Sequence, residues 1–421
     1  MRYISLPKLA FLFLAAFCGV SHAASTCTVN YSTRNDWSNG FVVDVVVANS
    51  GTAAVTGWKV EWKYGTSVKL ASAPWGARVK IAGGAVTATD DGSQPTIAPG
   101  GKISFGMPLS YSGSAKPEPV SLTVSGKGCA TVAPQTLFYV DPDSNAANWV
   151  RNNSWDNRAP AIRDHIANQP AGKWFGGWSG DIGPAVANYV SAAAARDQMP
   201  ILVAYNIPGR DCGQYSSGGA ESIQGYQTWI GAFAAAVGSR KAVVILEPDA
   251  LPQLDCLTDE GRNARLQMLQ YAVGQFKEKA PNAYLYLDAG NSTWLQPSVA
   301  ASRLLAAGIV HARGFSLNVS NYKTTADSLA YGDAINAALA QQQGITKTFV
   351  VDTSRNGNGP YGTEWCDPPG RKLGAPSKHF LGGEKPEMTL WIKNPGDADG
   401  CAAPAGTFVP DLAYKLVFGY Y

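Results

Sequence analysis

The stretch Val243-Val244-Ile245-Leu246-Glu247-Pro248-Asp249 decides how the larger part of this chain is read. Four consecutive aliphatic residues, two of them Val and one Ile, fit a strand buried on both faces, as in a parallel sheet. Pro248 cannot donate to a sheet ladder, so the strand stops there. Asp249 is left at a strand's C-terminal end, which in a parallel α/β barrel is the catalytic rim. Alone, the stretch fits a buried ion pair or a helix cap equally well. Its surroundings separate these readings.

From residue 137 onward, strands alternate with helices. Candidate strands fall at 137–140, 201–205, 242–246, 284–287, 314–317, 348–351 and 389–392, and Ala-rich amphipathic stretches lie between them at 184–198, 221–237, 261–279 and 326–343. This pattern over residues 137–421 predicts an α/β parallel barrel of the TIM type, distorted and seven-stranded. A doubly wound open sheet would carry a glycine-rich phosphate loop after its first strand, and Val140-Asp141-Pro142-Asp143-Ser144-Asn145 is not one.

Carboxylates collect at the expected strand ends. Arg210-Asp211 follows one strand, Glu247-Pro248-Asp249 a second, Asp288 a third, Asn318 to Tyr322 a fourth, Asp352 to Asn356 a fifth, and Lys393 to Asp399 the last. A barrel brings these ends into one ring, where crowded acids raise one another's pKa; a carboxylic general acid needs that at neutral pH. Each acid alone fits a structural role, but their coincidence points to a site. Glu247, two residues before Asp249 on the same strand face, reads as deeper and structural. Trp174, Trp178, Trp294 and Trp365 interleave with the acids in loop contexts. Carboxylates and tryptophans together fit polysaccharide hydrolysis. His165, His311 and His379 stand in no motif pairing them with a serine, and C-x-x-C pairs that would suggest zinc are lacking. Neither metal nor cofactor is expected.

The first half has another grammar. Residues 1–23 read as a secretory signal peptide: Arg2 and Lys8, an apolar run over 9–20 too short to span a membrane, then Ser21-His22-Ala23. Losing Arg2 and Lys8 with it takes the formal charge from +3 to +1, which gives no reason to expect a nucleic-acid partner. Secretion, and no membrane attachment, are expected. Six cysteines then remain, an even number suited to disulfides, with 15 possible pairings. Cys27 and Cys129 bracket the first segment and are paired here, a loop worth roughly 4–5 kcal/mol. Residues 25–129 alternate short Val/Thr-rich runs with Gly, Asn and Pro turns, an all-β domain. A short linker spans 130–136. In Trp58-Lys59-Val60-Glu61-Trp62-Lys63-Tyr64 the apolar residues fall on one face, so Trp58 and Trp62 belong to the core. Trp37 and Trp75 stand in turns, where a flat sugar ring could cover them.

The bracketing cysteines, Asn35-x-Trp37-x-x-Gly40-Phe41, Gly57-Trp58 and Phe105-Gly106 resemble a family 2 carbohydrate-binding module, a β-sandwich that binds cellulose, with Trp37 and Trp75 matching surface aromatics. Val203-x-Tyr205-x-x-Pro208-x-Arg210-Asp211-Cys212-Gly213, Ser217-x-Gly219 and Val244-Ile-Leu-Glu247-Pro248-Asp249-Ala-Leu251 resemble the two signatures of glycoside hydrolase family 6, which cleaves β-1,4-glucan with inversion. That resemblance implies Asp249 as general acid, Asp211 as the residue supporting its pKa, and Asp399, in Gly-x-x-Asp-Gly, as candidate base acting on a water held partly by Ser217. Tyr205 would press on the reacting ring. Trp174, Trp294 and Trp365 would stack glucose rings, and Lys393 and Asp397 would hold hydroxyls. Asn291 stands where the family commonly has His; it can bond a hydroxyl but cannot titrate. Asn318 and Arg355 complete the expected sugar-binding set. Inversion requires acid and base carboxyls about 6.5–9.5 Å apart. The remaining disulfides are then expected as Cys212–Cys256 and Cys366–Cys401. A short loop between the latter favours an open groove and internal cleavage over an exo-acting tunnel; a non-catalytic cellulose-binding protein is the reading from another class. Expected partners are cellulose and soluble β-1,4-glucans, for a monomer.

Overall fold

The computed structural model describes residues 27–420 except 38, 65–66, 113–116, 118, 133–136 and 381–384. The leader expected over 1–23 and most of the expected linker lie outside the described residues. The chain divides into two compact units, Met1–Gln135 and Thr136–Tyr421.

The first unit is a β-sandwich. One sheet runs in the order Cys27–Trp37, Gly40–Asn49, Lys102–Tyr111, Val68–Leu70; the other runs Cys129–Val132, Pro119–Lys127, Val55–Tyr64, Ala85–Thr89, Arg78–Ala82, with Thr96–Ile97 added to Val55–Tyr64. Strand alternation builds its core: Phe41, Val43, Val45 and Val47 point inward from one sheet and meet Trp58, Val60 and Trp62 from the other. Trp58 and Trp62 are core residues, as their spacing predicts, each 1% exposed. Trp58 stacks on Phe105 at 5.6 Å between centroids, and its Nε1–H donates to the Gln94 carbonyl at 2.8 Å. Cys27 and Cys129 are joined.

The second unit is built on one curled sheet of eight strands. Its order is Lys173–Phe175, Ile201–Ala204, Ala242–Leu246, Ala283–Asp288, Gly314–Leu317, Thr348–Asp352, Met388–Leu390, Lys378–His379. All neighbours are parallel except the last pair. The sequence reading gave seven strands and differs at both edges. Residues 137–140 form no strand, only a single parallel bridge from Phe138 to Met199. Lys173–Phe175 takes the edge instead; three mixed residues beside glycines give no hydrophobic run to read. The sheet curls until the first edge meets the chain leaving Met388–Leu390, without forming a ladder: Gly172 N–H donates to the Trp391 carbonyl and Trp174 Nε1–H to the Ile392 carbonyl, both at 2.8 Å. A Cβ on Gly172 would fall 2.4 Å from the Ile392 oxygen, so only glycine permits this approach.

The run that opened the reading behaves as its composition requires. Val243 and Ile245 face the sheet's inner layer with Val203, Tyr286 and Val350, while Val244 and Leu246 face the outer layer, packed against helices. Those helices are Ile182–Ala194, Ile223–Val237, Asp259–Lys279, Pro297–Ala306 and Thr325–Gln343. Ser222, Thr258 and Thr324 cap three of them, each side chain accepting from the N–H three residues on. No described helix is long and apolar enough to cross a membrane.

Emptying the largest space in the sandwich core should unfold that unit first. Trp58→Ala is expected to cost about 3–5 kcal/mol, measured by denaturant unfolding of the full chain followed by tryptophan fluorescence. Hydrolysis of soluble substrate should survive the transition of the sandwich.

Candidate active site

The strand tips are held by carboxylates that reach across to neighbouring loops. Glu247, 1% exposed, accepts from the Asn206 N–H at 2.9 Å and the Ile207 N–H at 2.9 Å, beyond the adjacent strand. Asp288 accepts from the Asp249 N–H at 3.0 Å, the Gly290 N–H at 3.2 Å and the Ser316 hydroxyl at 3.0 Å. Asp352 accepts from the backbone of Ser320 and Lys393, each at 3.0 Å, and of Ser354 at 2.9 Å. Burial pushes all three upward against these donors, Glu247 to about 8 and Asp288 to about 6. Glu247 is structural, as its depth in the strand suggests, and Asp288 and Asp352 share that work.

The clamps hold a strained backbone. Asp211, Cys212, Glu247, Asp249, Asn318, Ser320 and Asp367 all have positive φ, between 47° and 68°. Left-handed conformations in residues other than glycine cost about 1–3 kcal/mol each and persist where surrounding structure over-determines them. Here that structure is the ring of clamps, together with Cys212–Cys256 and Cys366–Cys401, both formed as expected.

Above the clamps lies a cleft of about 1140 Å³. It is lined by Asp211, Asp249 and Asp399, by Tyr205 and Ser217, by Trp174, Trp294 and Trp365, and by Asn291, Lys393 and Asp397. Asp249 is half-buried, and among the described residues none donates to its carboxyl. Burial, then the charges of Asp288 and Asp211, hold its pKa well above the usual carboxylate range, with Lys393 opposing. Asp211 is fixed by the Ser216 N–H at 2.6 Å and the Gln253 side-chain amide at 3.2 Å. Asp399 is set the opposite way. Burial would raise it, but Arg355 at 2.9 Å and Lys393 at 3.1 Å outweigh burial and hold it at about 2. The Tyr322 hydroxyl also donates to it at 3.2 Å. Asp397 is pushed up to about 6 by burial, while Asn145 donates to its Oδ2 at 3.0 Å. Two carboxyls of one cleft, one inclined to keep its proton and one firmly ionised, make an acid and an anion ready for use.

Two expected sugar-binding residues lie elsewhere. Asn318 is fully buried, and its side-chain amide donates to the carbonyls of Asn321, Lys323 and Asp352 while its oxygen accepts from the Lys323 N–H. It shapes the loop and does not line the cleft. Arg355, 3% exposed, sits behind Asp399 as its counter-charge. Both stand at strand ends, but a strand end does not reveal which way a side chain turns. Asn291 lines the cleft, and its carbonyl oxygen accepts from Thr293 at 3.0 and 3.1 Å. The sequence reading did not assign Arg210. Its guanidinium carbon lies 4.8 Å from the Tyr205 ring centroid and 5.0 Å from that of Trp178, and its nitrogens donate to the carbonyls of Tyr205, Ser216 and Ser217.

The two tryptophans expected at the surface of the sandwich are exposed there. Trp37 and Trp75 are each 41% exposed. A Cβ on Gly40 would fall 2.3 Å from the Trp37 ring, and one on Gly106 2.2 Å from the Trp75 ring, so each indole lies against a strand glycine. Gly40 pairs with Ser110 and Gly106 with Asp44 in adjacent strands. Both glycines therefore face outward on one side of the sheet, opposite Phe41 and Val43.

Comparison with known proteins follows the same division. Residues 133–410 match the glycosyl hydrolases family 6, and residues 27–129 a cellulose binding domain. Endoglucanase 1 of Streptomyces halstedii is 51% identical over 289 residues, 67% of this chain and 89% of that protein. Endoglucanase A of Cellulomonas fimi is 37% identical over 94% of this chain and 92% of its own length. The solved endoglucanase Cel6 of Mycobacterium tuberculosis, complexed with a thio-linked cello-oligosaccharide, is 41% identical with a TM-score of 0.63, over 67% of this chain and 96% of that one.

If the strand-tip acids are clamps, Asp352→Asn should destabilise the fold. An amide offers one accepting oxygen to three N–H donors, so at least one donor then faces an NH₂ group. A loss of about 1–3 kcal/mol is expected in chemical denaturation.

Proposed function

Because the chain belongs to the glycosyl hydrolases of family 6, we propose that it is a secreted, monomeric endo-β-1,4-glucanase that cuts internal bonds of cellulose and soluble β-1,4-glucans with inversion, its sandwich serving as the cellulose-binding module. The observation that carries this reading is the opposed setting of Asp249 and Asp399 in one aromatic-lined cleft. The relatives named endoglucanase, and the short 35-residue separation of Cys366 from Cys401, favour internal cleavage.

In this reading the chain lies along the cleft with sugar rings on Trp174, Trp294 and Trp365. Hydroxyls are held by Lys393, Asp397 and the Asn291 amide. Tyr205, its ring edge-on to Trp174 at 5.2 Å between centroids, presses on the reacting ring and favours its distortion. Asp249 gives its proton to the glycosidic oxygen as the bond breaks. Asp211 keeps that proton on Asp249 beforehand and stabilises positive charge on the sugar afterwards. Water near Ser217 attacks from the opposite face, and Asp399 takes up its proton. Two cations make Asp399 a weak base, so the water attacks a sugar already carrying most of its charge.

Asp249→Asn should lower kcat on cellulose roughly hundredfold or more, and least on aryl cellobiosides whose leaving group needs no proton. Loss of the Asp249 proton as pH rises sets the alkaline limb of activity. Asp211→Asn removes a negative charge that raises this pKa, so the limb should move to lower pH. The first product seen by NMR should be the α-anomer, and the viscosity of carboxymethylcellulose should fall well ahead of reducing-end release. Retained β-anomer, or viscosity tracking end release, would refute inversion or internal cleavage respectively.

A further inference from the structure

We propose that Trp178 is a further glucosyl-binding platform, holding a sugar residue of the β-1,4-glucan beyond those assigned to Trp174, Trp294 and Trp365. This deepens the glucanase reading and rests on it. Trp178 lies in the Gly177–Ser179 turn after the Lys173–Phe175 strand, and it lines the cleft while 58% exposed. An indole open on the cleft presents a flat apolar face, and the C–H face of a pyranose can cover it.

What separates this residue from an indole that merely failed to fold inward is its support. A Cβ on Gly176 would fall 2.4 Å from the Trp178 ring, so the ring rests against bare backbone. The Arg210 guanidinium carbon lies 5.0 Å from the ring centroid. Arg210 is itself held on several sides: it is 9% exposed, its Nε donates to the Ser216 carbonyl at 2.7 Å, and it also stacks on Tyr205. Trp178 therefore has little freedom left to lose when a ligand arrives, which is what makes a preformed platform effective. Trp174, Tyr205, Arg210 and Trp178 form one continuous series of ring contacts, with spacings of 5.2, 4.8 and 5.0 Å. The series leads from the proposed reacting sugar to Trp178. Trp155, more exposed still at 82%, is not part of the cleft lining.

Binding at such a platform holds substrate and transition state alike, so it should appear in KM for chains long enough to reach it. Kinetics of Trp178→Ala, Trp178→Gln and Trp178→Phe on cellotriose, cellohexaose and carboxymethylcellulose test this. Without the ring, KM for cellohexaose and the polymer should rise about threefold to tenfold, with kcat little changed and a smaller effect on cellotriose; Phe should recover most of the loss. An equal loss at every chain length, a change in kcat alone, or no change on the long substrates would overturn the assignment. Failure of the glucanase reading is distinct: the wild-type enzyme would then release no sugar from any of the three.

Discussion

A buried carboxylate must find donors, and at this rim the nearest are the backbone N–H groups of loops leaving the neighbouring strands. Glu247, Asp288 and Asp352 each satisfy that need by reaching sideways. Every such bond fixes the loop that supplies it, so the tips of the parallel strands become one braced ring. The positive φ angles at Asp211, Glu247, Asp249 and Ser320 are what the bracing holds in place. Without it, relaxation of those residues toward ordinary conformations would turn Asp249 and Asp211 away from their present directions. Because Asp288 takes the Asp249 backbone N–H, it fixes the position of Asp249 while leaving its carboxyl free.

The same ring sets two carboxyls apart electrostatically. Asp249 sits among negative neighbours, Asp288 and Asp211, and is inclined to stay protonated. Asp399 sits between Arg355 and Lys393 and stays ionised to about 2. Position along the rim makes the difference, since both are aspartic acids at the mouth of one cleft. Arg355 pairs with Asp399 from behind and is not among the residues lining the cleft. A guanidinium paired in this way is committed, and a sugar hydroxyl would have to compete with a charge for it.

Much of this was legible in the sequence, for identifiable reasons. Val243 to Leu246 alternate between two apolar layers, and a run apolar at every position is the signature of a strand with two covered faces. The Ala-rich amphipathic stretches at 221–237, 261–279 and 326–343 are helices, and Ser222, Thr258 and Thr324 at their starts are caps that only the structure brought out. Trp58 and Trp62 could be assigned inward, and Trp37 and Trp75 outward, from strand alternation and turn context. Less readable were features that depend on distant chain. Lys173–Phe175 is a strand only because Ile201–Ala204 offers it an edge. Residues 137–140 have the composition of a strand but pair at one point. Asn318 has the chemistry of a sugar ligand, yet its amide is consumed by carbonyls contributed from as far away as Asp352.

The seating of Trp37 and Trp75 on strand glycines has a geometric outcome. Four residues of antiparallel strand separate the two seats in register, which corresponds to about 13 Å along the strand direction. Each ring rests on main chain at a glycine, with Arg34 also over the Trp75 ring at 5.8 Å, so the interval follows the sheet. The sandwich thus offers a fixed gauge. A polymer whose flat units recur in step with it can rest on both rings together, whereas one of another pitch must settle for a single foothold.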